Sequence, residues 1–180
     1  MRSKYWMYLC PALLGASLFA ACASSQQAPG NQTANANANA ANDLPYATAP
    51  LPDNGYKAKL TILDPPKKLR AGQKQIIQIK VQNTSDILWK VRGGGADNKF
   101  YIAVGDRWFD GTGEKLLNQM DGRHGLANNL KPGEETEVPL QITTPKDPGE
   151  YTLEIDLVQE QVAWFNAKGS PTARVKVKVE

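Results

Sequence analysis

D147-P-G-E-Y-T-L-E-I-D-L-V-Q-E-Q-V-A-W-F165 decides the fold, because it reads as a turn feeding a long, regular β-strand. Tyr151, Leu153, Ile155 and Leu157 alternate with Thr152, Glu154, Asp156 and Val158, the period of two that puts one face of a strand in a core. Pro148-Gly149 supplies the turn. Six further segments after residue 54 show the same character, separated by Gly, Pro, Asn and Asp clusters, as in an all-β domain. Upstream these are Ala58, Leu60 and Ile62, ended by Pro65-Pro66, then Ile77, Ile79 and Val81 against Gln78, Lys80 and Gln82. Ile87 to Val91 around Trp89 is read as a third strand, released by Gly93-Gly94-Gly95, and Phe100, Ile102 and Val104 share a face of a fourth. Val138, Leu140 and Ile142 follow the Pro132-Gly133 turn, and Ala173, Val175, Val177 and Val179 close the chain.

About seven strands at this spacing resemble an immunoglobulin-like β-sandwich. Asp147-x-Gly149-x-Tyr151 looks like the tyrosine-corner turn at the start of strand F. Two residues on, where antibody domains place a cysteine, stands Leu153; its strand B partner would be Ile77 or Ile79, with Trp89 on strand C packed over the pair. Burying a large apolar side chain contributes about 1.5–3 kcal/mol, enough for a well-filled core to replace the cross-link. Trp89, Tyr151 and Leu153 are therefore expected in the core.

A closer resemblance covers most of residues 80–180. Asn83-Thr-Ser-Asp-Ile-Leu-Trp89, Arg107-Trp-Phe-Asp110, Leu130-Lys-Pro-Gly-Glu134, Pro148-Gly-Glu-Tyr151, Asp156-Leu-Val-Gln-Glu160 and Val162-Ala-Trp-Phe165 look like an Ig-like module appended to bacterial glycosyltransferases and methyltransferases. They are more distantly similar to the four-tryptophan Ig-like domain of autophagy cargo receptors. Gln161 stands where the module usually has glycine. The resemblance implies a non-catalytic accessory role and no particular ligand.

The first 54 residues have a different composition. Met1-Arg-Ser-Lys4 and the apolar run Tyr5 to Ala21 make an export signal, too short for a comfortable membrane span. Leu18-Phe-Ala-Ala-Cys22 resembles the lipobox of bacterial lipoproteins. This implies lipidation at Cys22 and membrane attachment through the lipid. Each buried methylene would contribute about 0.8 kcal/mol. Ala23 follows in place of the aspartate that retains such lipoproteins at the inner membrane, which implies the outer membrane. From Ala23 to Asn54 the chain is rich in Ala, Asn, Gln, Ser and Pro, with an Ala-Asn repeat at residues 34–40, and too poor in apolar side chains to offset its ordering entropy. The expected organisation is a signal peptide over 1–21, a lipidated cysteine and disordered tether over 22–54, and the sandwich over 55–180. A flexible tether of that length would place the domain roughly 30 Å from its anchor.

Charge and residue inventory restrict the function. Removing residues 1–21 takes away Arg2 and Lys4 and no acid, lowering the formal charge of +3 by two. Near-neutrality, with cations spread over alternate strand positions such as Arg174, Lys176 and Lys178, argues against a nucleic-acid partner. Cys10 and Cys22 both lie before the patterned domain and His124 is the sole histidine, so no cysteine-based metal site is expected, no cofactor, and little basis for a catalytic triad.

Candidate ligand contacts are Trp108, Phe109, Trp164, Phe165 and Arg123. Trp164 and Phe165 are consecutive, so one ring should leave the core unless a bulge at Glu160-Gln161 re-aims them; Trp108 and Phe109 raise the same question. A displayed ring would stack on a sugar or fill a partner's pocket. Arg123 and His124 lie in a Gly-flanked loop. Asp110-Gly-Thr-Gly113 reads as a hairpin turn, lacking the alternating oxygens of a calcium loop. Asp156 and Glu160 are the carboxylate pair a glycosidase would require, but four apart on one strand they read as a solvated or salt-bridged face. The leading expectation is a non-catalytic module for a protein partner; the alternative is a carbohydrate-binding module for envelope polysaccharide, with a hydrolase remote.

Overall fold

The computed structural model describes residues 44–117 and 122–180; the expected signal peptide, Cys22 and tether residues 23–43 lie outside the described residues. Two sheets face each other. One has the order β1 (Ala58–Leu63), β3 (Lys74–Asn83), β6 (Glu135–Thr143). The other runs β2 (Lys68–Leu69), β9 (Ala173–Val179), β7 (Gly149–Gln159), β4 (Ile102–Asp110), β5 (Arg123–Gly125), with β8 (Ala163–Trp164) paired to β7. All pairings are antiparallel except β2 with β9.

This is the immunoglobulin-like arrangement: β1, β3 and β6 stand as strands A, B and E, while β4, β7 and β9 stand as C, F and G. The organising stretch becomes β7, the centre of the larger sheet, and Tyr151 Oη donates to the Asp147 carbonyl at 2.9 Å, closing the tyrosine corner. Tyr151 itself is half-buried, at the rim of the core, whereas Leu153, Ile155 and Leu157 are fully buried.

Strand C is not where the sequence pattern puts it. Ile87 to Val91 forms no regular strand; Trp89 makes a single bridge to Leu130, and strand C is β4, fifteen or so residues later. Nor does Phe100 belong to it, since its positive φ of 66° places it in the preceding turn. The tryptophan facing the strand F cysteine position is therefore Trp108, in direct register with Leu153 and edge-on to Tyr151 at 6.3 Å. Trp89 is buried, as expected, but elsewhere: its indole donates to the Gly55 carbonyl at 2.8 Å and its ring meets Phe165 at 5.3 Å. Ile77 and Ile79 complete the same core from β3.

The packed chain also begins ahead of residue 55. Ala47 is buried and bridges Gly93, and the Leu51 amide donates to the Gln159 side chain, which also accepts Tyr56 Oη at 2.6 Å. Gly93 is required here: a Cβ would stand 1.9 Å from the Lys99 carbonyl oxygen.

Candidate functional site

The outer face of the larger sheet carries a polar cluster under an aromatic cover. Cross-strand register builds it in rows. Arg123, Gly105 and Asp156 align across β5, β4 and β7; Arg107, Glu154 and Arg174 align across β4, β7 and β9; Phe109, Thr152 and Lys176 form the next row. Residues opposite one another on one face interact, so each row is a contact set.

Glu154 is the hub. One carboxylate oxygen meets Arg107 Nη2 at 2.8 Å, and the other accepts Arg174 Nε at 2.6 Å and Thr172 Oγ1 at 3.1 Å. Arg107 Nη2 also lies 2.8 Å from Asp156 Oδ2, and Asp156 Oδ1 accepts the Leu157 amide. Both carboxylates are buried, so of the expected pair Asp156 is salt-bridged beneath a cover, whereas Glu160 is partly exposed and pairs with Arg123. The reason is position: β7 lies between β4 and β9, and the side chains of both neighbours fold over it.

Trp164 provides the cover. The chain reverses after Gln159 through a tight turn in which Gln161 adopts φ 60°, the left-handed conformation that glycine takes most readily. The reversal precedes both rings, and the two consecutive side chains then face opposite ways, so that one ring leaves the core as the alternation predicts. Trp164 lands on the outer face opposite Val158, half-buried, while Phe165 turns inward, fully buried against Tyr56 and Trp89. The guanidinium of Arg107 lies over the Trp164 ring at 4.6 Å and that of Arg123 at 4.4 Å, with Arg123 Nε 3.4 Å from Glu160. Each such contact contributes about 0.5–2 kcal/mol, the upper end where water is excluded. Gly105 leaves room for this layer, since a Cβ would stand 2.2 Å from Arg123 Nη1 and 2.9 Å from the Trp164 ring.

Of the sequence candidates, Trp164 and Arg123 are brought together, and Phe109 joins the same face with Arg174 over its ring at 4.7 Å. Trp108 and Phe165 are withdrawn into the core, correcting the expectation that they contact a ligand. The Asp110 turn is a hairpin loop, its carboxylate accepting Thr112 Oγ1 and the Gly113 amide. Asp156 and Glu160 are held by different arginines and do not face each other as a reactive pair. Sequence reasoning missed Arg107, Arg174 and Gly105 as parts of one cluster. Their signal is the register, which no single strand reveals.

Burial raises the Asp156 carboxyl to about 6, against the opposing pull of Arg107 and of two backbone amides. A carboxyl raised on folding contributes stability that is complete below its ordinary value of 3.8 and is lost as pH rises through about 6. Urea midpoints at pH 4.5 and pH 7 should show this as a downward slope that Asp156→Asn removes; an unchanged slope in the variant would refute the assignment.

No protein-family model matches the chain, and no curated protein matches it either. Among solved structures it is similar to a β-glucosidase from Listeria innocua (TM-score 0.43, 17% identity), aligned over 68% of this chain and only 16% of that enzyme. It is also similar to a CARDB domain from Pyrococcus furiosus (TM-score 0.38, 15% identity, 69% of this chain and 86% of that one). A third likeness is a sporulation control protein from Bacillus subtilis (TM-score 0.39, 15% identity, 69% and 49%). The fold assignment rests on the strand pairing itself.

Proposed function

We propose that this chain is a lipid-anchored protein of the bacterial outer membrane whose Ig-like domain is a non-catalytic module for a protein partner. The observation that carries the reading is the state of Trp164: partly exposed, yet held against two guanidiniums on a sheet face. Tryptophan and arginine dominate the residues that carry interface energy, and a ring already fixed loses little entropy on docking. A sugar platform would pair Trp164 with Trp108 on one exposed face, but Trp108 lies inside the core, and Phe109 on the outer face is covered by the Arg174 guanidinium.

Crosslinking in cells followed by extraction of the full chain should recover a protein neighbour. Arg123→Ala and Trp164→Ala should abolish that recovery while circular dichroism shows the fold retained. Recovery of envelope polysaccharide instead, or of the same protein with both variants, would overturn the reading. Cys22→Ser tests the anchor separately: the chain should leave the membrane pellet, and unchanged pelleting would refute acylation.

A further inference from the structure

The geometry points to a second site on this same sheet face, a subsite for a phosphate- or sulfate-type oxyanion centred on Lys176, Arg174 and Thr152. It does not depend on the partner reading.

The cations of β9 that share a face, Arg174, Lys176 and Lys178, stand opposite Glu154, Thr152 and Glu150 of β7. Arg174 has its acid, bonded at 2.6 Å, and Lys178 has Glu180 at 3.4 Å as well as Glu150 opposite. Lys176 faces a hydroxyl where its neighbours face carboxylates, and among the described residues it forms no ion pair. Two like charges two residues apart repel, so the vacancy in an otherwise alternating charge pattern is one that an anion would fill.

A shallow pocket of about 240 Å³ opens at this place, lined by Thr112, Gly113, Thr152, Arg174, Val175 and Lys176. Arg174 is fixed there three ways: Nε on Glu154, Nη1 on the Gly113 carbonyl at 3.2 Å, and the guanidinium plane over Phe109. Its Nη2 is not engaged in any of these contacts. Gly113, at φ 81°, stands over Thr152, where a Cβ would lie 3.3 Å from the hydroxyl oxygen. Two of the neighbouring carboxylates are already committed, Glu154 to two arginines and Asp110 to its own turn. A guanidinium edge and an ammonium from β9 and a hydroxyl from β7 suit a tetrahedral oxyanion, to which they donate charge-assisted hydrogen bonds.

The test is an amide chemical-shift titration of the ¹⁵N-labelled chain with inorganic phosphate, against chloride at matched ionic strength. Saturable shifts at Gly113, Thr152 and Lys176 are expected, weakened roughly tenfold by Lys176→Gln, as loss of one charge-assisted bond implies. Thr152→Val should weaken them less. Glycerol-1-phosphate in a second arm separates the sources: tighter binding than inorganic phosphate assigns a lipid headgroup, and equal binding assigns the free ion. Shifts that chloride reproduces, that never saturate, or that keep the same midpoint in Lys176→Gln would overturn the site.

Discussion

Glu154→Ala should be among the most damaging single substitutions in the domain, lowering stability by about 3–5 kcal/mol. Glu154 is a charged residue on the outer face of a sheet, where the alternation along β7 would make it a dispensable solvent contact. In the fold it neutralises Arg107 and Arg174 together, and its side chain is only 3% exposed. Truncation leaves Arg107, whose side chain is 13% exposed, with Asp156 as its remaining acid, a group whose own ionisation burial opposes. Breaking such a pair costs more than the pair contributes net, because the surviving charge stays buried without its partner. Urea denaturation at pH 7 measures it. Lys80→Ala provides the contrast: Lys80 pairs with Glu135 and Glu137 on the opposite sheet's exposed face, where such pairs are worth about 0–1 kcal/mol. Equal losses in the two variants would show that the outer-face cluster is not a buried unit.

Trp108→Ala should cost about as much, about 3–5 kcal/mol, through a different term. Its ring packs against Tyr151 and against Leu153, which stands where antibody domains place a cysteine, and no neighbouring strand can collapse into the void without breaking the β4–β7 register. Trp164→Ala should cost clearly less, since Trp164 is only partly buried and its removal leaves Arg107 its two acids. The decisive measurement is the pair of urea midpoints together with recovery of the crosslinked neighbour. Trp108→Ala should move the midpoint far more than Trp164→Ala, and the latter should remove the neighbour. A near-neutral Trp108→Ala would return that residue to the surface role its sequence context suggested.

Much of the fold was legible along the chain. Alternation in Ile77 to Val81, Val138 to Ile142 and Ala173 to Val179 marks strands whose inward faces are those buried in the structure, because side-chain direction in a strand follows parity alone. Pro132-Gly133 marks a turn for equally local reasons, with Gly133 at φ 82°, whereas the bend expected at Pro148-Gly149 lies at Lys146-Asp147 and Gly149 already pairs in β7. The failures cluster between β3 and β4. Ile87 to Val91 has apolar spacing and β-branched residues, yet Trp89 meets only Leu130 across a single bridge, so the segment contributes a buried ring without a ladder. Strand propensity records how well a side chain suits a half-buried surface, and Trp89 obtains that burial from Gly55 and Phe165 without a strand ladder of its own.

The candidate site was legible only in pieces. Trp164 and Arg123 were visible as unusual residues; that they meet, and that Arg107, Glu154 and Arg174 lie beneath or beside them, follows from register between strands far apart in sequence. Residues 147–165 by themselves determined a turn, a long strand and a tyrosine corner, since those depend on backbone conformation and on neighbours a few residues away. Which tryptophan lies in the core and which covers the ion pairs was decided by the tertiary structure alone. A reversal at Gln161 and the pairing of β4 with β7 choose the face of each ring, and neither choice is written in the residue's own surroundings along the chain.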